Sequence, residues 1–142
     1  MKIITREKYL NRIIELNGTP DIKIITGIRR SGKSKLMQAY MEYLKSHFEN
    51  INIIFIDFMD LSYENIKEYH ALHSYVEEHY EAEKTNYLFV DEVQMCPDFE
   101  LAVNSLYSKG KYDIYITGSN AFLLSADLAT IFTGRYIEIH VF

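Results

Sequence analysis

Apolar residues follow two alternating patterns along this chain, which predicts that buried strands alternate with amphipathic helices. The first pattern is a short, nearly continuous apolar run, found at residues 22–25, 51–58, 87–90 and 113–117. The second is an apolar spacing of three and four residues, typical of a helix with one buried face. It predicts helices at residues 5–17, 33–48, 61–85, 97–109 and 125–132.

The last segment differs from the other strand candidates because its residues alternate. Ile137, Ile139 and Val141 occupy every second position, so we expect a strand at the edge of the sheet with one exposed face. The four earlier runs lack this alternation, and we expect helices to cover both of their faces. Together these elements predict a three-layer α/β fold around a mostly parallel five-stranded sheet. Because the sequence stops at this strand, we expect it to be a fragment of a longer protein.

Composition and charge narrow the class of protein. The chain has 142 residues, 48% of them hydrophobic and 25% charged, which is the profile of one soluble globular domain. A net charge of −5 gives no broad basic surface for nucleic acid. The lone Cys96 excludes an internal disulfide and fits a reducing cytoplasm. No apolar run approaches the ~20 residues of a membrane span, so we expect a cytoplasmic protein without a membrane partner.

The loop after the first predicted strand carries the strongest chemical signal. Residues 27–34 read Gly-Ile-Arg-Arg-Ser-Gly-Lys-Ser and match G-x-x-x-x-G-K-[ST], the Walker A pattern of a P-loop. Such glycines let backbone N–H groups surround phosphates, the lysine reaches the β- and γ-phosphates, and the serine ligates Mg²⁺. The alternative is a plain glycine-rich turn with a helix-capping serine. Arg29 and Arg30 occupy free positions of the loop, where they can contact phosphate or acidic neighbours or stay solvated, as exposed charges usually do. The predicted nucleotide-binding residues are Gly27, Ile28, Arg29, Arg30, Ser31, Gly32, Lys33, Ser34 and Lys35, with Ser34 also a metal ligand.

Two carboxylates end the third predicted strand, in the Walker B-like string Tyr-Leu-Phe-Val-Asp-Glu at residues 87–92. The C-terminal ends of parallel strands line the ligand crevice, so we expect Asp91 beside the phosphate loop, holding Mg²⁺ through water. Glu92 is predicted to orient and deprotonate the attacking water as a general base. An ordinary acidic turn is the alternative, and the nearby phosphate loop favours the catalytic interpretation.

Three further residues are candidates for catalysis. Ser119 and Asn120 follow the fourth strand, where a hydroxyl or amide can contact the γ-phosphate or the water; either residue also suits a helix N-cap. Arg135 follows Gly134 and can stabilise transition-state charge, although a helix C-terminus equally favours a cation. The last strand should pair beside the first one, so Arg135 enters the sheet opposite its own phosphate loop. This position favours a role for Arg135 in the active site of a neighbouring copy, which would require a homo-oligomer.

Three strings in this order resemble the predicted AAA+ superfamily ATPases of bacteria and archaea. They are ITGIRRSGKSKLM, YLFVDEVQ and YDIYITGSNAFLLSADLATIFTGRYIEI, and the resemblance covers residues 22–142. It implies a P-loop NTPase core in which the phosphate-loop strand lies beside the TGSN sensor strand, with the Asp-Glu strand beyond. It also implies ATP and Mg²⁺ as cofactors, hydrolase activity, and a polar but unassigned role for Gln94. Residues 1–142 would then be the ATPase core, without the helical lid and C-terminal region usual in that family.

Other functions fit the residues less well. A GTPase would require an N-K-x-D motif, which the sequence lacks. A P-loop kinase usually lacks the Asp-Glu pair and has an arginine-rich lid, for which Gly134-Arg135 is a weak match. A module that senses ATP without hydrolysing it stays open, since binding needs only the phosphate loop. A zinc site is disfavoured because His70, His73 and Cys96 do not form a ligand set of three or four with zinc spacing. The sequence does not identify the process that ATP hydrolysis would drive: DNA transactions, protein remodelling and signalling all fit a module of this kind.

Overall fold

A parallel sheet between two layers of helices forms the centre of the computed structural model, which describes residues 2–27, 32–119, 131–132 and 135–141. The strands are β1 (Ile22–Gly27), β2 (Ile51–Asp57), β3 (Thr85–Asp91), β4 (Tyr112–Ser119) and β5 (Tyr136–Val141). The helices are α1 (Lys2–Glu15), α2 (Lys33–His47), α3 (Tyr69–His79) and α4 (Phe99–Ser108), with 3₁₀ turns at Leu61–Ile66 and Val93–Met95. The strand order is β2-β3-β4-β1-β5, and every neighbouring pair is parallel. The predicted α/β fold with a five-stranded sheet is confirmed.

The two faces of the sheet carry separate apolar cores. Ile25, Phe89 and Tyr115 belong to the core under α1 and α2. Ile24 and Val90, their neighbours in sequence, belong to the core under α3 and α4. Successive residues of a strand point to opposite faces, so a strand buried on both faces needs a continuous apolar run. This explains why β1, β3 and β4 lack polar and apolar alternation.

The predicted edge strand is confirmed for β5, whereas the predicted cover of both faces of β2 is only partial. β5 pairs with β1 and ends the described sheet, as its alternation predicts. β2 was expected to be covered on both faces, yet it forms the opposite edge, and Ile51, Ile53 and Phe55 stay only partly buried. The face of β2 that carries Ile51, Ile53 and Phe55 is partly covered by the 3₁₀ turn Leu61–Ile66. Tyr63 of this turn lies edge-to-face against Phe55, with ring centroids 6.5 Å apart.

Two predicted helices have different bounds in the structure. α1 begins at Lys2, before the expected Thr5, and ends at Glu15, ahead of the left-handed Gly18. The predicted helix at 61–85 is divided into a 3₁₀ turn and the shorter α3. Glu68 causes this division by accepting hydrogen bonds from the first N–H groups of α3, which fixes it as the N-cap. Most of the helix predicted at 125–132 lies outside the described residues. Within the part of the chain that the structure describes, no helix is long and apolar enough to span a bilayer.

A buried polar network ties the end of α1 to the sheet. Lys23 of β1 is fully buried and forms an ion pair with Asp113 of β4, with Nζ 2.6 Å from Oδ1. The Gly18 N–H and the Tyr115 hydroxyl donate to the other carboxylate oxygen at 3.1 and 2.9 Å. A buried charge is stable only when paired and hydrogen-bonded. This network therefore fixes the turn after α1 against the N-terminal ends of the strands, away from the phosphate loop.

Candidate functional site

The phosphate loop joins the end of β1 to the start of α2. Gly27 is the last residue of β1 and pairs in register with Ser119 of β4. Gly32 is the N-cap of α2, with φ +94°, in the left-handed region that favours glycine. Because it has no side chain, it leaves the first N–H groups of α2 available to an anion. Four predicted nucleotide-binding residues lie outside the described part of the chain: Ile28, Arg29, Arg30 and Ser31.

Two side-chain contacts join the start of α2 to the end of β3. Ser34 Oγ donates a hydrogen bond to Asp91 Oδ2 at 2.7 Å. Lys33 Nζ donates to Glu92 Oε2 at 3.1 Å, and only 3% and 13% of these two side chains are exposed. The structure thus brings the predicted metal ligands and the predicted base to one place. A cavity of about 350 Å³ opens there, lined by Gly32, Lys33, Ser34, Lys35 and Glu92.

Glu92 is held by its backbone as well as by its side chain. It follows β3 with φ +55°, a conformation that is uncommon for residues other than glycine. Its N–H donates to Thr117 Oγ1 at 2.9 Å, and the same hydroxyl donates to Asp91 Oδ1 at 2.5 Å. Thr117, fully buried in β4, therefore ties the two acidic residues together. The only signal for this role in the sequence is a hydroxyl inside an apolar strand.

Thr117 offers a direct test of how the acidic pair is held. Thr117→Val keeps the shape of the side chain but removes both hydrogen bonds, so the free energy of unfolding should fall by about 1–3 kcal/mol. Urea denaturation measures this difference. The matched control is Thr85→Val at the exposed start of β3, which should change stability by less than about 0.5 kcal/mol. If both variants have the same stability, the Thr117 hydroxyl does not support the site.

Two other polar side chains lie beside the acidic pair. Asp57 ends β2 and pairs in register with Asp91. Burial raises the pKa of Asp57 and the Asp91 carboxylate raises it further, while the Met59 N–H, which donates to Asp57 at 2.9 Å, lowers it. Gln94, whose role the sequence left unassigned, donates from Nε2 to Glu92 Oε1 at 2.8 Å. Both carboxylate oxygens of Glu92 are therefore engaged, one by Lys33 and one by Gln94.

The three remaining predicted residues do not all reach this place. Ser119 ends β4 at the same edge of the sheet, whereas Asn120 lies outside the described residues. Arg135 enters β5 at the opposite edge, where its carbonyl accepts from the Ile22 N–H at 2.9 Å. Its guanidinium Nε lies 3.5 Å from Asp21 Oδ1, and 82% of its side chain is exposed. A strand length of ~17–20 Å therefore separates Arg135 from the phosphate loop of its own chain.

The histidines and the cysteine have other neighbours. His73 Nε2 contacts Ser105 Oγ at 3.0 Å, and His70 Nδ1 contacts Glu68 Oε1 at 2.8 Å on the surface. Burial raises the pKa of the Cys96 thiol to about 11, so it stays protonated and a poor metal ligand at neutral pH. Within the described ranges, no group of three or more histidine, cysteine and acidic residues is arranged to hold a metal ion.

A parallel sheet with a phosphate-loop sequence after β1 and an acidic pair after β3 defines a P-loop NTPase. The family model described as "AAA domain" matches residues 19–142. The chain therefore belongs to the AAA domain family, as its three strings suggest.

Two known proteins resemble this chain over nearly its whole length. The chain is 37% identical to an uncharacterized protein of Haemophilus influenzae and 32% identical to the uncharacterized protein MJ1544 of Methanocaldococcus jannaschii, over 99% of its own length in both cases. It spans only 36% and 31% of these two proteins, about a third of their length.

Two solved structures share the fold at low sequence identity. Saccharomyces cerevisiae RIF2 has a TM-score of 0.62 and 14% identity, over 94% of this chain and 54% of RIF2. The genome packaging NTPase B204 of Sulfolobus turreted icosahedral virus 2, in complex with ATP-gammaS, has a TM-score of 0.50 and 18% identity. That match covers 71% of this chain and 65% of B204.

Proposed function

We propose that this AAA domain binds ATP with Mg²⁺ and hydrolyses it at the junction of α2 and β3. The observation that carries the proposal is the paired contact of Ser34 with Asp91 and of Lys33 with Glu92. It gathers a phosphate-binding cation, hydroxyl and carboxylate oxygens, and a base around one cavity. Each is a component that phosphoryl transfer to water requires. The B204 structure, which contains ATP-gammaS, supports a nucleotide as the ligand.

The residues present fit a magnesium ion. Mg²⁺ takes oxygen ligands at ~2.0–2.1 Å in octahedral geometry and usually keeps several waters among them. Ser34 Oγ donates a hydrogen bond to Asp91 Oδ2 at 2.7 Å, so the carboxylate lies directly behind the hydroxyl that would ligate the ion. Ser34 would bind the ion directly and Asp91 would hold it through water. The ion supplies neutralisation of charge on the β- and γ-phosphates.

Lys33 binds the phosphates in this proposal, and Glu92 acts as the base. In the structure the two side chains form an ion pair. ATP offers Lys33 a more highly charged partner, so the ammonium group moves to the β- and γ-phosphates and releases Glu92 Oε2. The free carboxylate oxygen then accepts a proton from the attacking water. ATP binding thereby both delivers the substrate and frees the base.

Release of inorganic phosphate tests this function. The chain should release phosphate from ATP when Mg²⁺ is present and should stop when EDTA removes it. An excess of GTP that fails to compete would confirm the preference for ATP. If phosphate is not released although ATP binds, the domain is a nucleotide sensor instead. The contacts of Lys33 and Gln94 with both Glu92 oxygens support that second candidate only if Lys33 keeps its contact when ATP binds.

Arg135 is proposed to act on the nucleotide of a neighbouring copy. Arg135→Ala should leave ATP affinity unchanged and should lower turnover only at concentrations where the chains associate. Mixing Arg135→Ala with Lys33→Ala should restore part of the activity, because each variant supplies the group that the other lacks. ATPase assays over a concentration series, beside sedimentation of the same samples, measure this. A monomer whose turnover per chain needs Arg135 at every concentration would contradict the proposal.

A further inference from the structure

The turn that follows β3 places one amide side chain against the proposed base. The 3₁₀ turn Val93–Met95 begins directly after Glu92, and the Met95 N–H donates back to the Glu92 carbonyl at 3.1 Å. Val93 and Cys96, on either side of Gln94 and Met95, are fully buried in the core under α3 and α4. The backbone of this turn is therefore anchored on both sides. Gln94 Nε2 reaches Glu92 Oε1 from this anchored position at 2.8 Å.

The orientation of the Gln94 amide has a cost. A carboxylate only accepts hydrogen bonds, so the NH₂ group of the amide must face Glu92 and the amide oxygen must point away. That oxygen is buried and has no hydrogen-bond partner among the residues that the structure describes. An unpaired buried acceptor destabilises the folded protein. The Gln94 side chain thus keeps its donor on Glu92 although its acceptor stays unpaired, and an unpaired buried group of this kind calls for an explanation.

The two contacts on the Glu92 carboxylate differ in what happens when ATP binds. The Lys33 contact is given up, because the phosphates take the ammonium group. The Gln94 contact involves neither a phosphate-binding group nor a metal ligand, so it can persist. Without it, the released carboxylate would keep its backbone position but would rotate freely about its side-chain bonds. A general base must stay within hydrogen-bond reach of the water that it deprotonates.

We propose that Gln94 is a positioning residue, which holds Oε1 of Glu92 so that Oε2 stays aimed at the attacking water after Lys33 leaves. This proposal rests on the hydrolytic function proposed above. In the step that it serves, the water oxygen forms a bond to the γ-phosphorus while the bond from that phosphorus to the β–γ bridging oxygen breaks. One water proton passes to Glu92, the other stays on the new phosphate, and ADP leaves with the electron pair of the broken bond.

Two substitutions of Gln94 distinguish the contribution of its amide donor from that of its side-chain volume. Gln94→Leu removes the amide and keeps most of the packing, whereas Gln94→Glu keeps the shape and replaces the donor by a second carboxylate. Both should lower kcat by about 10-fold or more, the equivalent of one hydrogen bond to a charged group. The dissociation constant for ATP, measured with a fluorescent analogue, should change less than about 3-fold, because Gln94 contacts neither phosphate nor metal. Glu78→Leu, which places a leucine at an exposed position of α3 away from the site, is the control and should keep kcat.

A double-mutant cycle decides whether Gln94 acts through Glu92. In the Glu92→Gln background, Gln94→Leu should cause no further loss in single-turnover hydrolysis, because the group that it positions is gone. An equal loss in both backgrounds would overturn the proposal, and so would wild-type kcat in Gln94→Leu and Gln94→Glu. If the unmodified chain binds ATP but shows no hydrolysis, the hydrolytic function and this role both fail. Normal hydrolysis that is insensitive to Gln94 overturns the role alone.

Discussion

Glu92→Gln should slow ATP hydrolysis by about 10²-fold or more, the usual contribution of a general base. Glutamine has nearly the same shape as glutamate, but its amide cannot take a proton from water. The expected loss therefore lies in kcat rather than in ATP binding. Single-turnover hydrolysis of radiolabelled ATP measures the chemical step directly.

The structure adds an expectation about affinity for the same variant. Lys33 is paired with Glu92 Oε2 at 3.1 Å, so we expect ATP to compete with this carboxylate for the ammonium group. Glutamine is a weaker partner for a cation, because a hydrogen bond to a neutral group is weaker than one to a charged group. Glu92→Gln should therefore bind ATP as tightly as the wild type or more tightly. Equilibrium binding of a fluorescent ATP analogue tests this.

The matched control for Glu92 is Glu78→Gln on α3. Glu78 is exposed, and the substitution makes the same change in charge. It should leave both turnover and affinity unchanged. Wild-type hydrolysis in Glu92→Gln would show that Glu92 is not the base, and weaker ATP binding would show that its pair with Lys33 does not compete with the nucleotide.

Lys33→Ala should weaken ATP binding by about 10²-fold or more, since it removes charge-assisted hydrogen bonds worth about 1.5–3 kcal/mol each. The contribution is large because Lys33 is almost fully buried at the start of α2, where the ammonium group meets the phosphates out of bulk water. Isothermal titration with Mg²⁺ and ATP measures the loss.

Folding must be separated from binding for this variant. Removing Lys33 leaves the Glu92 carboxylate, which is 13% exposed, without its cation, so some stability is lost as well. A urea denaturation curve shows whether the variant is folded at the temperature of the titration. Lys45→Ala on the exposed side of α2 makes the same change, with 61% of the Lys45 side chain in solvent, and should keep wild-type affinity. Unchanged ATP affinity in folded Lys33→Ala would exclude this loop as the nucleotide site.

The sequence by itself determined the fold class and the position of the two main motifs. Buried parallel strands need apolar residues on both faces, so β1, β3 and β4 appear as short, nearly continuous apolar runs, and their regular alternation with helical patterns indicates strands rather than buried helices. The phosphate loop can also be recognised from the sequence, because the left-handed backbone conformation at Gly32 favours glycine at that position. Local backbone conformation of this kind depends on residues that are close together in the sequence. The alternation in β5 likewise predicted an edge strand, because one exposed face leaves a period of two.

Only the tertiary structure decided which side chains meet. β2 shows an apolar run like that of a central strand, but strand order depends on long-range packing, and Tyr63 covers part of its open face. The family resemblance implied that β4 lies between β1 and β3, and the structure confirms this order, but only the packed sheet shows that the Thr117 hydroxyl bridges Asp91 and Glu92. Gln94 reaches Glu92 because a left-handed residue and a 3₁₀ turn reverse the chain there. Contacts between residues distant in sequence, or joined through an unusual backbone conformation, are set by the packing of the whole sheet.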